Sequence, residues 1–144
     1  PVADKLALFT EKWNHTEYFI HMKRLYNSIA TIRGKEVNAT HLLTGENLGQ
    51  VSSQTLGNLG GVEITTSLLP LRPLLAFDKV AIMTMARNIG TLEISEGPEV
   101  CDALGPSKPT TVANKEWLER SEDRVGGLQH LASDSYSKLR IVKL

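Results

Sequence analysis

A polar loop that carries two glycines and directly follows a short apolar run constrains this chain more than any other feature. The run spans residues 39–43 and lacks glycine, proline and acidic side chains, a pattern that predicts a buried strand. The loop, residues 44–55, adds four hydroxyl side chains to its two glycines. Because ligands of open α/β sheets bind outside the carboxyl ends of strands, this loop is a candidate binding site.

Ser52 or Ser53 is placed to cap a following helix, and the free N–H groups of that helix would favour anionic or polar ligand groups. The same loop also has a purely structural interpretation. The stretch matches neither the Walker loop of nucleoside triphosphatases nor the GxGxxG dinucleotide fingerprint. A solvated turn followed by a helix cap therefore stands as the alternative to a binding loop.

Composition limits the class of protein. The 144 residues suffice for one domain, and hydrophobic and charged fractions of 41% and 22% are typical of soluble globular proteins. Lysine and arginine total 16 and aspartate and glutamate total 16, so no overall field attracts a nucleic acid or a membrane. Any RNA contact must come from a local patch or another domain. No apolar run approaches the roughly 20 residues that span a bilayer, so we expect no membrane partner.

Cysteine and histidine usage bears on compartment and metal binding. The single cysteine, Cys101, excludes an internal disulfide framework and predicts a reducing, cytoplasmic location. The four histidines show no metal-ligand spacing and Cys101 has no CxxC partner, so we expect no bound metal. A lone loop cysteine is either a reactive thiol or a small buried hydrophobe, and both interpretations stay open.

The amino-terminal part of the chain predicts one long helix. Asn14 and Glu17 resemble a capping box, apolar residues recur at helical spacing, and Gly34 supplies a stop. Lys23 lies off the apolar stripe, where a solvent-facing charge is the ordinary interpretation. Residues 53–66 predict a second, short helix, with a break near Gly60 because a glycine costs a helix up to about 1 kcal/mol relative to alanine.

A second apolar run, residues 68–77, predicts another buried strand, kept short by Pro70 and Pro73. Arg72 lies between the two prolines, and a buried guanidinium needs a partner. It either pairs with a carboxylate such as Glu46 or points into a ligand site. The sequence leaves both alternatives open.

Residues 78–90 form the clearest predicted helix, with Asp78 as its cap and Gly90 at its end. Its apolar residues recur at helical spacing and predict a buried face. Lys79 stands in the first turn, where the helix dipole disfavours a cation. Taken alone it is a solvated surface lysine, and only a nearby anion would give its position a reason.

The carboxyl-terminal third predicts a proline-punctuated loop followed by helices. The loop covers residues 96–111, and a helix over residues 114–122 follows, with Trp117 and Leu118 as its anchors. We predict a further helix over residues 125–131 and an edge strand over residues 139–142.

Three segments, taken in order, are similar to one protein family. They are residues 44–55, residues 71–75 with 78–79, and residues 86–91 with 98–101. Together they resemble the carboxyl half of the catalytic domain of tRNA 4-thiouridine synthetases, a family also named for thiamine biosynthesis. The likeness covers residues 17–111 and is weaker beyond. It implies part of a three-layer α/β domain of the adenine-nucleotide α-hydrolase (PP-loop) kind, with a mostly parallel sheet between helices.

The resemblance also implies an activity. Family enzymes use ATP, with magnesium, to adenylate O4 of uridine 8 in tRNA, and a persulfide donor then supplies the sulfur that replaces this oxygen. The partners implied are tRNA and that donor. The family name adds a link to thiamine thiazole synthesis.

Individual residues match family positions. Gly45 and Gln54 match nucleotide-contacting positions, and Lys23 stands where the family usually has a nucleotide-contacting arginine, so it keeps the charge without the bidentate fork. Lys79 matches a lysine required for activity, which supplies a reason for its place: charge stabilisation at a transferring phosphate. Cys101 matches the cysteine that attacks the persulfide, or forms a disulfide with the sulfur-carrying cysteine. The expected supporting residues are Glu46, Gln50, Ser53, Arg72 and Asp78.

One family motif is absent from the 144 residues. The pyrophosphate-binding SGG-x-DS loop does not occur, so nothing in this sequence would cradle the β- and γ-phosphates. We therefore expect the carboxyl half of a catalytic domain that needs the missing half. The alternative is a non-catalytic nucleotide-binding or homo-oligomeric interaction module with the same fold. A sulfur carrier that relies on Cys101 alone is a third, weaker alternative.

Overall fold

The computed structural model describes residues 1–49, 54–97 and 101–140, excluding the side chains of residues 101 and 102. Helices dominate these ranges, and two short strands lie among them. The elements in chain order are α1 (Ala3–Ala7), a 3₁₀ turn (His15–Glu17), α2 (Tyr18–Glu36), β1 (His41–Leu43), α3 (Leu56–Glu63), β2 (Leu69–Leu71), α4 (Lys79–Asn88), α5 (Leu92–Ser95), a second 3₁₀ turn (Cys101–Leu104), α6 (Lys115–Arg124) and α7 (Leu128–Ser137).

The two strands pair in parallel, with His41 opposite Leu69 and Leu43 opposite Leu71. Helix α3 makes the crossover between them, so the predicted α/β class with a parallel sheet is observed. The prediction that both strands are buried is wrong, because Leu43 is 69% exposed and Leu69 is 58% exposed. Helix α2 packs against β1, while the alternating outward residues have no cover among the described residues.

Helix α2 differs from its predicted bounds at both ends. Asn14 precedes the 3₁₀ turn rather than the helix, and its side chain makes no capping bond, so the predicted capping box is wrong. The helix also runs through Gly34 to Glu36. A Cβ atom at Gly34 would lie 2.6 Å from Cδ1 of Leu68, so this glycine permits close packing of α2 against the start of β2 and does not stop the helix.

Helix α3 is continuous across Gly60, so the predicted break is wrong. Its cap is Thr55, later in the chain than the serines expected there: the Asn58 backbone N–H donates to Thr55 Oγ1 at 3.2 Å. Asn58 is fully buried and ties α3 to the segment that leads into α6. Its Nδ2 donates to the Thr110 carbonyl at 2.9 Å, and its Oδ1 accepts from the Ala113 N–H at 2.8 Å.

Helix α4 begins as predicted but is not buried. Asp78 caps it, accepting from the Ala81 N–H at 2.7 Å, and Gly90 follows its end with φ +74°. No residue of α4 is buried, and Val80 and Ile89 are 73% and 74% exposed. The predicted buried face is therefore wrong within the described part of the chain, where α4 makes its main contacts with the short helix α5.

The last two helices follow the predicted order. Asn114 caps α6, accepting from the Trp117 N–H at 2.9 Å, and Leu118 is fully buried while Trp117 is partly buried. The following helix starts at Leu128, later than predicted, and extends to Ser137. Of the predicted edge strand, residues 139 and 140 are not in a strand, and residues 141 and 142 lie outside the described ranges.

Helix α2 is the centre of the packing. One apolar cluster joins it to α1 and α7, and a smaller one joins it to α3 and α6. The buried members of the first are Leu6, Phe9, Tyr18, Leu25, Leu128, Leu131 and Ala132, and those of the second are Ile20, Val62 and Leu118.

A buried ion pair crosses between these clusters. Arg24, 3% exposed, donates from Nε to Glu122 Oε1 at 2.5 Å and from Nη2 to Oε2 at 2.8 Å, and its Nη1 donates to the Gly61 carbonyl. His21 Nδ1 lies 3.2 Å from Glu122 Oε1, and its ring stacks on Phe9. Burial raises the pKa of the Glu122 carboxyl, but the hydrogen bonds from Arg24 and His21 outweigh burial and bring its pKa below the ordinary value.

We expect Glu122→Gln to lower the free energy of unfolding by about 3 kcal/mol at neutral pH, because Arg24 stays buried without a charged partner. The lowered pKa means that the carboxylate stabilises the fold above its ordinary pKa of 4.5 and that this contribution disappears as the pH falls below that value. Wild-type stability, measured by urea unfolding from about pH 6 to 3, should therefore fall more steeply than that of the variant. Glu119→Gln, on the exposed face of the same helix, is the control. Equal pH slopes for wild type and Glu122→Gln would contradict the assignment.

Candidate functional site

The polar loop leaves β1 at the carboxyl edge of the sheet, as predicted. The Thr44 N–H donates to the Leu71 carbonyl at 2.9 Å, and the Leu48 N–H donates to the Leu75 carbonyl at 3.0 Å. The loop thus runs beside the segment that follows β2. The carboxyl ends of both strands meet at one place, which is where open α/β sheets bind ligands.

Glu46 is the centre of an ionic cluster at this edge. It is 9% exposed and accepts hydrogen bonds from Arg72 Nε at 2.7 Å, Lys23 Nζ at 3.2 Å and Thr44 Oγ1 at 3.3 Å. Burial raises the pKa of the Glu46 carboxyl, but Arg72 and Lys23 outweigh it and bring the pKa below the ordinary value. Glu46 therefore stays ionised and holds two cations that come from different elements.

Arg72 makes the carboxylate pairing that was one of its two alternatives in the sequence. It pairs with Glu46, and its Nη1 also donates to Glu63 Oε2 at 3.0 Å. Burial lowers the pKa of the guanidinium, and the two carboxylates raise it by more. Arg72 thus pairs with two carboxylates, Glu46 and Glu63.

Lys23 and Arg24 are adjacent on α2 and belong to different networks. Arg24 enters the buried pair with Glu122, whereas the Lys23 side chain, 18% exposed, reaches Glu46. A lysine ammonium has three hydrogens, and one of them is used in this contact. Lys23 therefore keeps two N–H donors that this contact does not use.

Gln54 and Gly45 shape the two ends of the loop. Oε1 of Gln54 accepts from the Asn47 N–H at 2.6 Å, and its backbone carbonyl accepts from the Gly49 N–H at 3.2 Å. Gly49 has φ +77°, a conformation that favours glycine. Gly45 is exposed, and a Cβ built there meets no atom within 4 Å. The loop thus has an open side at Gly45 and is closed internally by Gln54.

Asn47 is a residue of this site that the sequence analysis did not single out. It is 3% exposed, and its Nδ2 donates to the Leu74 carbonyl at 2.9 Å and to the Phe77 carbonyl. The signal available in the sequence was only an amide in a polar loop, because both acceptors lie far along the chain.

Lys79 and Asp78 form the second part of the site. Lys79 is the first residue of α4 and is exposed to solvent, and no ion pair of its ammonium occurs among the described residues. Lys23, Arg72, Glu46 and Glu63 balance one another in charge, so anion affinity at this edge would come mainly from Lys79 and the amino end of α4. No described contact joins Lys79 directly to the Glu46 cluster.

Three candidate residues cannot be placed. Gln50 and Ser53 lie outside the described residues, and of Cys101 only the backbone, at the start of the second 3₁₀ turn, is described. Within the ranges 1–49, 54–97 and 101–140, no group of three or more histidine, cysteine or acidic side chains is arranged to hold a metal ion. No helix among them has the length and apolar character needed to cross a membrane.

Comparisons with known proteins agree on one family. The family model described as "Thiamine biosynthesis protein (ThiI)" matches residues 3–126. The tRNA sulfurtransferase of Psychromonas ingrahamii is 39% identical over 125 residues, which cover 86% of this chain and 26% of that protein. That of Vibrio vulnificus (strain YJ016) is 40% identical over 118 residues, covering 81% and 24%. The crystal structure of a 4-thiouridine synthetase–RNA complex with bound ATP matches with a TM-score of 0.84 and 33% identity, over 95% of this chain and 36% of that one.

These likenesses indicate the class of protein: an α/β protein with a PP-loop-like parallel sheet, of the kind found in tRNA-modifying transferases. The chain belongs to the ThiI family, so the resemblance noted in the sequence is confirmed. It spans about a quarter of the length of the curated relatives it matches.

We expect Glu46→Gln to destabilise the protein by about 1–3 kcal/mol, because Arg72 and Lys23 lose their shared anion while staying largely buried. Glu63→Gln is the matched control: it removes the other, half-exposed partner of Arg72 and should change stability little. Urea unfolding at neutral pH measures both. Equal losses in the two variants would show that Glu46 is not the centre of the cluster.

Proposed function

We propose that this chain supplies the carboxyl half of the PP-loop catalytic domain of a cytoplasmic tRNA sulfurtransferase. The observation that carries the proposal is the loop at the carboxyl edge of the parallel strands, which is hydrogen-bonded to the segment leading to Lys79. The likeness to a 4-thiouridine synthetase with bound ATP and RNA supports the same role. The reaction is ATP-dependent thiolation of uridine 8 in tRNA, with a further use of the sulfur in thiamine thiazole synthesis.

The nucleotide would lie across the open side of the loop. Gly45 offers backbone without a side chain in the way, and Gln54 has its Oε1 engaged within the loop, which leaves its NH₂ group for the ligand. Lys23 contributes a partly neutralised charge, while Lys79, at the amino end of α4, contributes one that pairs with no carboxylate in the described part of the chain. Lys79 would stabilise charge on the phosphate during adenylation, and magnesium would accompany the nucleotide.

Sulfur transfer would then use Cys101. The terminal sulfur of the donor persulfide attacks C4 of the adenylated base, and AMP leaves with the former O4. The Cys101 thiolate next attacks the donor cysteine sulfur, forms a disulfide with it, and leaves the transferred sulfur on the base. This role rests on the family position of Cys101.

A partner half would complete the domain. The outward residues of both strands are exposed, as are Val80 and Met85 of α4, and the relatives are about four times as long as the matched region. We place the SGG-x-DS-bearing half on this apolar face, where it would also bring the loop for the β- and γ-phosphates. The same exposed face favours a second candidate, a non-catalytic nucleotide-binding module that covers the face by homo-oligomerisation.

Calorimetric titration of ATP and AMP tests the nucleotide site. We expect weak binding of both, lost in Gln54→Ala, and ATP affinity reduced about tenfold in Lys79→Ala because a charge contact to phosphate is worth roughly 1.4 kcal/mol. Lys115→Ala is the matched control, since Lys115 is likewise an exposed first residue of an asparagine- or aspartate-capped helix. Absence of ATP binding at every reachable concentration would overturn the nucleotide site.

Recombination with a relative's amino-terminal half that carries SGG-x-DS tests the reaction. We expect the two chains to associate and to form 4-thiouridine in tRNA when ATP and a persulfide donor are present, with no product from Cys101→Ala. Light scattering on the chain alone separates the candidates. A stable homo-oligomer that excludes the added half would favour the non-catalytic module.

A further inference from the structure

Asn47 uses all of its hydrogen-bond donors inside the protein. Its backbone N–H donates to Gln54 Oε1 at 2.6 Å, and its Nδ2 donates to the Leu74 carbonyl at 2.9 Å and to the Phe77 carbonyl. The residue is 3% exposed. One buried residue therefore contacts the far end of the polar loop through its backbone and the segment between β2 and α4 through its side chain.

The geometry at this position selects an amide. Two carbonyl oxygens converge on one nitrogen, and a carboxamide NH₂ group has two hydrogens to offer them. A hydroxyl could satisfy only one of these carbonyls, and a carboxylate neither. A buried polar group left without its partner costs about 1–3 kcal/mol, so the arrangement is held only by asparagine at this length of side chain.

The contact ends where helix α4 begins. Phe77 is followed directly by the cap Asp78, whose carboxylate holds the Ala81 N–H, and then by Lys79. A neighbouring bond joins the Leu48 N–H to the Leu75 carbonyl. Together with the two Asn47 side-chain bonds it forms a seam between the polar loop and the segment that leads to α4. The loop that carries Gly45 and Gln54 is thereby fixed to the start of the helix that carries Lys79.

We propose that Asn47 is a positioning residue that sets residues 44–49 and Gln54 against the amino end of α4, so that Lys79 and these nucleotide-facing residues act on one ligand. The proposal rests on the proposed nucleotide site. Asn47 itself need not touch the ligand, because its donors are all engaged within the protein.

Asn47→Asp is the sharpest variant, because it keeps the size and the backbone N–H and removes both side-chain donors. Its control is Asn58→Asp, which damages another buried asparagine that joins α3 to the segment before α6. We expect ATP affinity, measured by calorimetry, to fall about tenfold in Asn47→Asp and to stay within twofold of wild type in Asn58→Asp. Asn47→Ser, which retains one donor, should fall between wild type and Asn47→Asp and replaces it if that variant does not fold.

A double-mutant cycle distinguishes positioning from general destabilisation. If Asn47 acts through Lys79, the loss caused by Asn47→Asp should shrink to less than threefold in a Lys79→Ala background. Hydrogen exchange without nucleotide gives a second readout: the amides of Leu48 and Ala81 should exchange faster in Asn47→Asp and not in Asn58→Asp.

The outcomes separate the two proposals. ATP binding by the wild type with equal loss in both backgrounds, or with no loss in Asn47→Asp, would overturn the positioning role and leave the nucleotide site standing. If the wild type does not bind ATP, the nucleotide site falls and the positioning role falls with it. Unchanged amide exchange at Leu48 and Ala81 in Asn47→Asp would show, without any ligand, that Asn47 does not hold the seam together.

Discussion

The bidentate pair between Arg24 and Glu122 is the interaction on which the rest of the structure depends. Its guanidinium lies on α2, its carboxylate on α6, and its third contact is a carbonyl of α3. A charge that is 3% exposed is tolerated only where its donors are satisfied. The pair therefore fixes how these three helices meet, and the apolar cluster of Ile20, Val62 and Leu118 fills the space beside it.

The buried ion pair and the candidate site are connected through two adjacent residues of α2. Lys23 precedes Arg24 on α2, and successive helical residues point about 100° apart, so one enters the interior while the other reaches the edge of the sheet. Lys23 then meets Glu46, which also holds Arg72 after β2. The polar loop is consequently held at its start by an ionic cluster and in its middle by Asn47. This leaves Lys79, at the end of the seam, as a cation with no described ion pair.

Much of this arrangement could be predicted from local signals. The cap Asp78 and the order of strands and helices follow from residue chemistry over short spans, whereas the pairing of Arg72 with Glu46, 26 residues away, was only one of two alternatives. Gly34 was misinterpreted because a stop signal and a close-packing position use the same residue, and only the contact with Leu68 distinguishes them. Asn47 was missed because its acceptors lie 27 and 30 residues further along the chain, where no periodic pattern connects them.

The errors about burial have a common physical cause. Apolar periodicity identifies the apolar face of a helix or strand, but it does not indicate which polypeptide packs against that face. Leu43 and Leu71 are the last residues of their strands and are exposed, while the next residues, Thr44 and Arg72, belong to the site. Burying a leucine side chain is worth roughly 1.5–3 kcal/mol. A partner half that covered these strand ends would therefore gain its binding energy directly beside the polar loop, so completing the sheet and completing the proposed nucleotide site would be one event.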